Sequence, residues 1–185
     1  MRFLIISLIC LVVTSCSART EKEISSIVTN IDDESKKDSS FTLADFLTEN
    51  EMLNQKVESI FQTMNDTIRV GQMIVPATGR LGKSTEHVTS LAEKGWIGGI
   101  LLLNGTKDGF TDEVVYYDSI MDAKGYLPLI FSADAEPTLV NRKIKGTREV
   151  PKTNTIKHLD SVNYFTQIIA EDLNQIGINQ NFAPV

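Results

Sequence analysis

Three stretches of helical periodicity in this chain each close on a glycine, and each leads into an apolar run of strand length. Ser84 to Lys94 sets Val88, Leu91 and Ala92 on one face, stops at Gly95, and precedes Ile97–Asn104 (Ile-Gly-Gly-Ile-Leu-Leu-Leu-Asn). Thr111 to Lys124 carries Val114, Val115, Ile120 and Met121, stops at Gly125, and precedes Leu127–Asp134. Ser161 to Ile176 carries Val162, Phe165, Ile169, Leu173 and Ile176, stops at Gly177, and precedes Ile178–Val185. Glycine ends helices because it adopts the left-handed conformation without a Cβ penalty. The apolar runs are nearly continuous rather than alternating, as strands covered on both faces are. Helix, stop and buried strand in repetition spell βα units and a parallel sheet.

A fourth run, Met73–Pro76, reads as the first strand. Ahead of it a helix is expected from Thr48 to about Met64, with Thr48 and Glu51 at the spacing of a capping box. A short helix capped by Thr67 should follow, through Ile68, Val70 and Gln72. The fold class is therefore α/β. A sheet of four strands whose last, Ile178–Val185, has no helix after it would leave an open edge. Four βα units are also half of a (β/α)8 TIM barrel, which typically takes about 250 residues. Residues 46–185 are expected to be the truncated, N-terminal half of such a barrel.

The start of the chain reads as an export signal. Arg2 precedes an apolar run from Phe3 to Val13. At a helical rise of 1.5 Å this run covers roughly 16 Å, about half of a bilayer core, so residues 1–15 fit a cleaved signal peptide and not a membrane span. Val13-Thr14-Ser15-Cys16 resembles a bacterial lipobox, in which Cys16 is lipidated and becomes the mature N-terminus; a plain signal peptide cut nearby is the alternative. The lipobox reading uses both cysteines of the chain, because Cys10 leaves with the signal and Cys16 carries lipid. It implies a cell-envelope location with the domain held to a membrane. Residues 16–45 are polar and serine-rich, with Asp32-Asp33-Glu34 and Lys36-Lys37 and no sustained apolar period, so they read as a disordered tether. A charged surface helix over Glu21–Ile31 is the other reading.

Charge narrows the partners. With 18 Lys+Arg against 24 Asp+Glu, the net charge is −6 and the pI about 5.0. Phosphate neutralisation needs clustered Lys and Arg, so nucleic acid is not an expected partner. No metal-ligand cluster, phosphate-binding glycine loop or Ser/His/Asp arrangement is visible, and no cofactor is implied.

Three segments together resemble the N-terminal domain of glycoside hydrolase family 3, especially its β-N-acetylhexosaminidase branch. They are Val70-Gly71-Gln72-Met73, then Gly95-Trp96-Ile97-Gly98-Gly99-Ile100-Leu101-Leu102, then Ala170-Glu171-Asp172-Leu173 with Gly177-Ile178-Asn179-Gln180-Asn181-Phe182-Ala183-Pro184-Val185. The resemblance implies a TIM-barrel glycosidase that cleaves terminal β-N-acetylhexosaminides with retention, with β-glucosidase as the alternative within the family. It implies a carbohydrate substrate, such as a peptidoglycan fragment. The family's nucleophile, an Asp, and its acid/base would lie downstream of Val185, so no catalytic residue is expected in residues 1–185. A reading of another class is a lipoprotein that binds glycan or a partner chain without catalysis.

Asp134-Ala135-Glu136 stands at the position of the family's Asp-x-Glu-Gly-Gly-Arg segment. The resemblance implies that Asp134 binds sugar hydroxyls in the −1 subsite. A carboxylate at the C-terminal end of a barrel strand points into the mouth and can accept two O–H bonds. Glu136 is a further substrate-binding candidate, or it orients the loop. Pro137-Thr138 replaces the family's Gly-Gly, and Leu139 stands at its Arg position. Arg142, three residues on, is the third substrate-binding candidate. Asp134 and Glu136 do not suit a catalytic pair, because residues i and i+2 leaving one strand share a side and cannot flank a sugar. The basic run of Arg142, Lys143, Lys145, Arg148, Lys152 and Lys157 reads as a solvated loop, with attraction of anionic glycans such as peptidoglycan fragments as the other reading. His87 and His158 read as exposed helix-flanking residues, and Trp96 reads as core.

Overall fold

The computed structural model describes residues 47–183. The expected leader (1–15), Cys16, the tether (16–45) and the alternative helix Glu21–Ile31 lie outside the described residues, as do Pro184 and Val185. The chain divides into residues 1–54 and 55–185. The described part of the first unit, residues 47–54, holds the first turn of helix α1; the rest of this section concerns the second.

In chain order the elements are α1 (Glu51–Thr63), α2 (Asp66–Gly71), β1 (Ala77–Thr78), α3 (Thr85–Glu93), β2 (Gly99–Leu102), β3 (Gly105–Thr106) and α4 (Lys107–Lys124). There follow β4 (Ile130–Ala133), α5 (Val140–Lys143), β5 (Ile144–Lys145), a 3-10 turn at Thr153–Thr155, α6 (Leu159–Ile176) and β6 (Gln180–Asn181). One sheet has the parallel order β1-β2-β4-β6, and β3 pairs with β5 in a small second sheet. Successive strands of the main sheet are neighbours, joined by α3, α4 and α6. That is the order of a barrel arc; a doubly wound sheet reverses its order at a switch point.

The helices lie on one face. Val88 and Ala92 of α3, Phe110, Val114, Tyr117 and Met121 of α4, and Ile169, Leu173 and Ile176 of α6 form one buried cluster with Ile100, Leu102 and Phe131 of the strands. On α4 the buried positions recur at intervals of four, three and four, a single helical stripe. Of the expected face, Val114 and Met121 are buried and Ile120 packs partly against the core, whereas Val115 is exposed; Phe110 and Tyr117 complete the stripe. The helix also starts earlier than expected, at Lys107, because the Thr106 hydroxyl accepts from Gly109 N at 3.1 Å and caps it. Asn65, not Thr67, caps α2 through Ile68 N. Asn50 accepts from Leu53 N at the head of α1, which buries none of its side chains.

The first strand moves too. The carbonyls of Ile74, Pro76 and Thr78 accept from Gly98, Leu101 and Leu103 N, so the expected Met73–Pro76 run does track β2. Regular pairing is confined to Ala77–Thr78, since proline brings no N–H to a ladder. Met73, Ile74 and Val75 are exposed, which corrects the expectation of a strand covered on both faces. The Gly-Gly of β2 has a packing reason. A Cβ on Gly98 would sit 2.0 Å from Gln72 O, and one on Gly99 would sit 2.5 Å from Ile130 O.

Strand alternation assigns the faces. Ile100, Leu102, Phe131 and Ala133 turn toward the helices, so Ile130, Ser132 and Asp134 turn the other way. On that second face Ile130 is half-exposed and Gln180 exposed, while Ser132 is buried and donates through Oγ to Ile100 O at 3.2 Å.

Candidate active site

Asp134 leaves the C-terminal end of β4 on the face opposite the helices. Its two carboxylate oxygens have different surroundings. Oδ2 accepts from Lys143 Nζ, an ion pair between the strand end and α5. Oδ1 is buried and has no hydrogen-bond partner. A buried acceptor left unpaired costs free energy, so this oxygen is a ready acceptor for a ligand O–H. Lys143 fixes the carboxylate through one oxygen, and the other stays buried without a partner.

The neighbouring backbone is held from the last strand. Asn181 Oδ1 accepts from Ala135 N at 3.0 Å and from Ala183 N at 3.2 Å, and its Nδ2 donates to Ala135 O at 3.4 Å. Asn181 thereby fixes the residue next to Asp134. Neither Lys143 nor Asn181 was singled out by sequence. Lys143 stood among the basic run and Asn181 within the Asn-Phe-Ala-Pro-Val segment, and no local pattern assigns either a role.

In the segment after β4 the basic run is mostly exposed, with Arg142, Lys145, Arg148, Lys152 and Lys157 all at the surface, while the apolar residues between them are held. Val140, Ile144 and Val150 are buried in the core. Asn141 ties the segment together: its Oδ1 accepts from Val150 N at 2.9 Å, and its Nδ2 donates to Arg148 O at 2.6 Å. The segment is then locked to α6. Asp172, buried, accepts from Arg148 N at 2.8 Å, Arg148 Nε at 3.2 Å and Lys107 Nζ at 3.1 Å. Burial alone would push the Asp172 carboxyl up. The Arg148 backbone bond, the Lys107 bond and the two positive charges outweigh it and hold the group below the ordinary aspartate value. Arg148 also donates to Glu171 at 3.0 Å and to Ile168 O at 2.8 Å.

The other expected site residues fall as follows. Glu136 is half-buried, and its carbonyl accepts from Leu139 N and Val140 N at 2.8 Å each, opening the turn into α5. Arg142 is exposed and lines a separate cleft with Arg80 and Lys145. So α5 brings its Lys143, not Arg142, into hydrogen-bond contact with Asp134. His87 is exposed within α3, and His158 is exposed at the head of α6. Trp96, expected in the core, is 41% exposed with Lys94 Nζ 4.9 Å from its ring centre. No group of three or more His, Cys, Asp and Glu able to hold a metal ion occurs among the described residues.

A parallel arc with helices outside and a strand-end carboxylate on the inner face is the construction of a TIM-barrel-type domain with its site at the strand C-termini. The family described as "Glycosyl hydrolase family 3 N terminal domain" matches residues 65–185, and the chain belongs to that family. Among solved structures, it resembles a glycoside hydrolase family 3 β-N-acetylglucosaminidase from Paenibacillus sp. str. FPU-7, at 23% identity and a TM-score of 0.58. The likeness covers 65% of this chain and 24% of that one, so the present chain spans about a quarter of the relative. No curated protein matches.

Proposed function

We propose that the intact protein hydrolyses terminal β-N-acetylhexosaminides with retention, through a covalent glycosyl-enzyme intermediate, and that Asp134 binds hydroxyls of the sugar in the −1 subsite. Family membership supports glycoside hydrolysis, and the name of the Paenibacillus relative suggests the hexosaminide. The observation that carries the reading is the unpartnered, buried Oδ1 of Asp134 at a strand C-terminus, with Oδ2 already held by Lys143. The nucleophile and the acid/base lie beyond residue 185, and residues 1–185 supply part of the sugar pocket and its scaffold. Glu136 shapes the turn below that pocket, and Cys16 anchors the protein to an envelope membrane through lipid.

The test is hydrolysis of an aryl β-N-acetylglucosaminide by the full-length protein and its Asp134→Ala variant, with the aryl β-glucoside alongside. Two hydrogen bonds to a carboxylate, at roughly 1.5–3 kcal/mol each, predict a loss in kcat/KM of about a hundredfold or more. Near-normal turnover in Asp134→Ala removes this residue from the site. Faster cleavage of the glucoside by the wild type replaces the hexosaminide with the glucoside.

A further inference from the structure

We propose that Asn181 is a positioning residue of the sugar site: its side-chain amide adds one rung to the ladder between β4 and β6, and that rung holds Asp134 in the posture that meets the sugar. The inference rests on the glycosidase reading of Asp134. Regular pairing of the two strands ends with Ser132 opposite Gln180 and Ala133 opposite Asn181. Phe182 N donates to Ala133 O at 2.9 Å at this end of the ladder. Asp134 and Ala135 lie past the regular pairing, where β4 has ended.

The chemistry of the extra rung is that of a peptide unit. A side-chain amide carries a carbonyl acceptor and N–H donors, the same pair of functions that a neighbouring strand presents. Asn181 Oδ1 accepts from Ala135 N at 3.0 Å, and its Nδ2 donates to Ala135 O at 3.4 Å. Both backbone groups of Ala135 are thus met from β6, two residues beyond the last regular pair. The same Oδ1 accepts from Ala183 N at 3.2 Å, so one amide ties together the two segments that leave these strands. Ala135 is 1% exposed, and removing the amide takes away the acceptor that its buried N–H now has.

Asp134 lies between two held residues, Ala133 bonded through the backbone and Ala135 bonded to Asn181. Holding the chain on both sides sets the Cα–Cβ direction of Asp134, while Lys143 holds Oδ2 at the far end of the side chain. The two restraints act on different parts of one residue. Oδ1, buried without a partner, accepts a sugar hydroxyl well only at the right distance and angle, which a loose strand end does not keep. The influence of Asn181 on the sugar therefore runs through Asp134, and it should vanish when Asp134 is removed.

The experiment is a double-mutant cycle on the full-length protein, read by hydrolysis of the aryl β-N-acetylglucosaminide and the aryl β-glucoside. Asn181→Ala should lower kcat/KM about tenfold when Asp134 is present. In the Asp134→Ala background the same substitution should change kcat/KM by no more than about twofold, because the residue it positions is gone. A merely structural role lowers both backgrounds by the same factor, and that result overturns the proposal. Hydrogen exchange gives a readout that needs no turnover: the Ala135 amide should exchange at least about tenfold faster in Asn181→Ala. Unchanged Ala135 exchange overturns the proposal as well. Should Asn181→Ala not fold, Asn181→Asp keeps an acceptor for Ala135 N and loses the donor to Ala135 O. Its effect on kcat/KM must likewise shrink toward one in the Asp134→Ala background, and an equal effect in both backgrounds overturns the proposal. A wild type that cleaves neither glycoside removes the glycosidase reading and this inference together, whereas an active wild type with equal losses in both backgrounds removes the inference alone.

Discussion

Replacing Asp172 by Ala should release the segment between β4 and α6 that carries Lys143. The carboxylate is buried, with 3% of its side chain exposed, and accepts three hydrogen bonds. The bond from Arg148 N is short and points at a buried charge, so it carries the larger share. The side chains of Lys107 and Arg148 are 25% and 45% exposed, so solvent screens their contributions toward those of surface pairs. The whole clamp then comes to about 3 kcal/mol, or about a hundredfold in an opening equilibrium. Hydrogen exchange on the full-length protein reads this locally. The amide of Val150, bonded to Asn141 Oδ1 within the clamped segment, should exchange about a hundredfold faster in Asp172→Ala. Asp172→Asn keeps an acceptor for Arg148 N but loses the charge, and should fall between. Glu171→Ala removes only the exposed arm of the network and should change little. If Val150 exchange in Asp172→Ala stays within about twofold of the wild type, the clamp does not hold the segment. The pH dependence has a definite sign. Folding holds the Asp172 carboxyl below its ordinary value of 3.8, so near that pH the unfolded chain binds more protons than the folded one. The contribution is therefore complete above the ordinary value and is lost as pH falls through it to the folded value. Asp172→Asn should flatten the fall in protection below about pH 5.

Two further substitutions probe the packing of the arc and the charge at the site. Gly98→Ala places a methyl 2.0 Å from Gln72 O and should cost about 3 kcal/mol in urea unfolding of the full-length protein. Gly125→Ala meets nothing within 4 Å and should cost only about 1 kcal/mol, for its left-handed backbone; equal losses would mean that the approach at Gly98 is loose. Lys143→Met frees the carboxylate that Lys143 now fixes, and should raise KM for the aryl hexosaminide about tenfold with a smaller change in kcat. An unchanged KM would show that Lys143 does not position Asp134.

Features written in short stretches of sequence were legible, and features made by distant residues were not. Gly95, Gly125 and Gly177 marked three helix ends, and each takes a positive φ in the structure. Asp134 was singled out by the resemblance to the family's Asp-x-Glu-Gly-Gly-Arg segment, at the end of a strand-length apolar run. On α4 the sequence placed Val114 and Met121 correctly but included the exposed Val115 and left out Phe110 and Tyr117, because adjacent apolar residues do not say which of them turns inward. The partners that define the site are non-local: Asn181 reaches Ala135 across 46 positions, and Asp172 reaches Arg148 across 24. Neither pairing has a local periodicity that could announce it.

The continuous apolarity of the strands carries one more lesson. Such runs record two covered faces, yet in residues 47–183 the face opposite the helices is only partly covered: Ser132 is buried, while Met73, Ile74, Val75 and Ile130 are exposed. A barrel arc accounts for this, because the inner faces of its strands are packed by side chains from strands across the barrel and not by its own helices. Asp134 at the strand end is part-buried, with one oxygen paired and the other buried without a partner. Pairing differs from group to group on both faces: Asp172 on the helical side and Ser132 on the inner face are satisfied within the fold, whereas Tyr117 Oη among the helices and Asp134 Oδ1 at the strand end are buried without a partner.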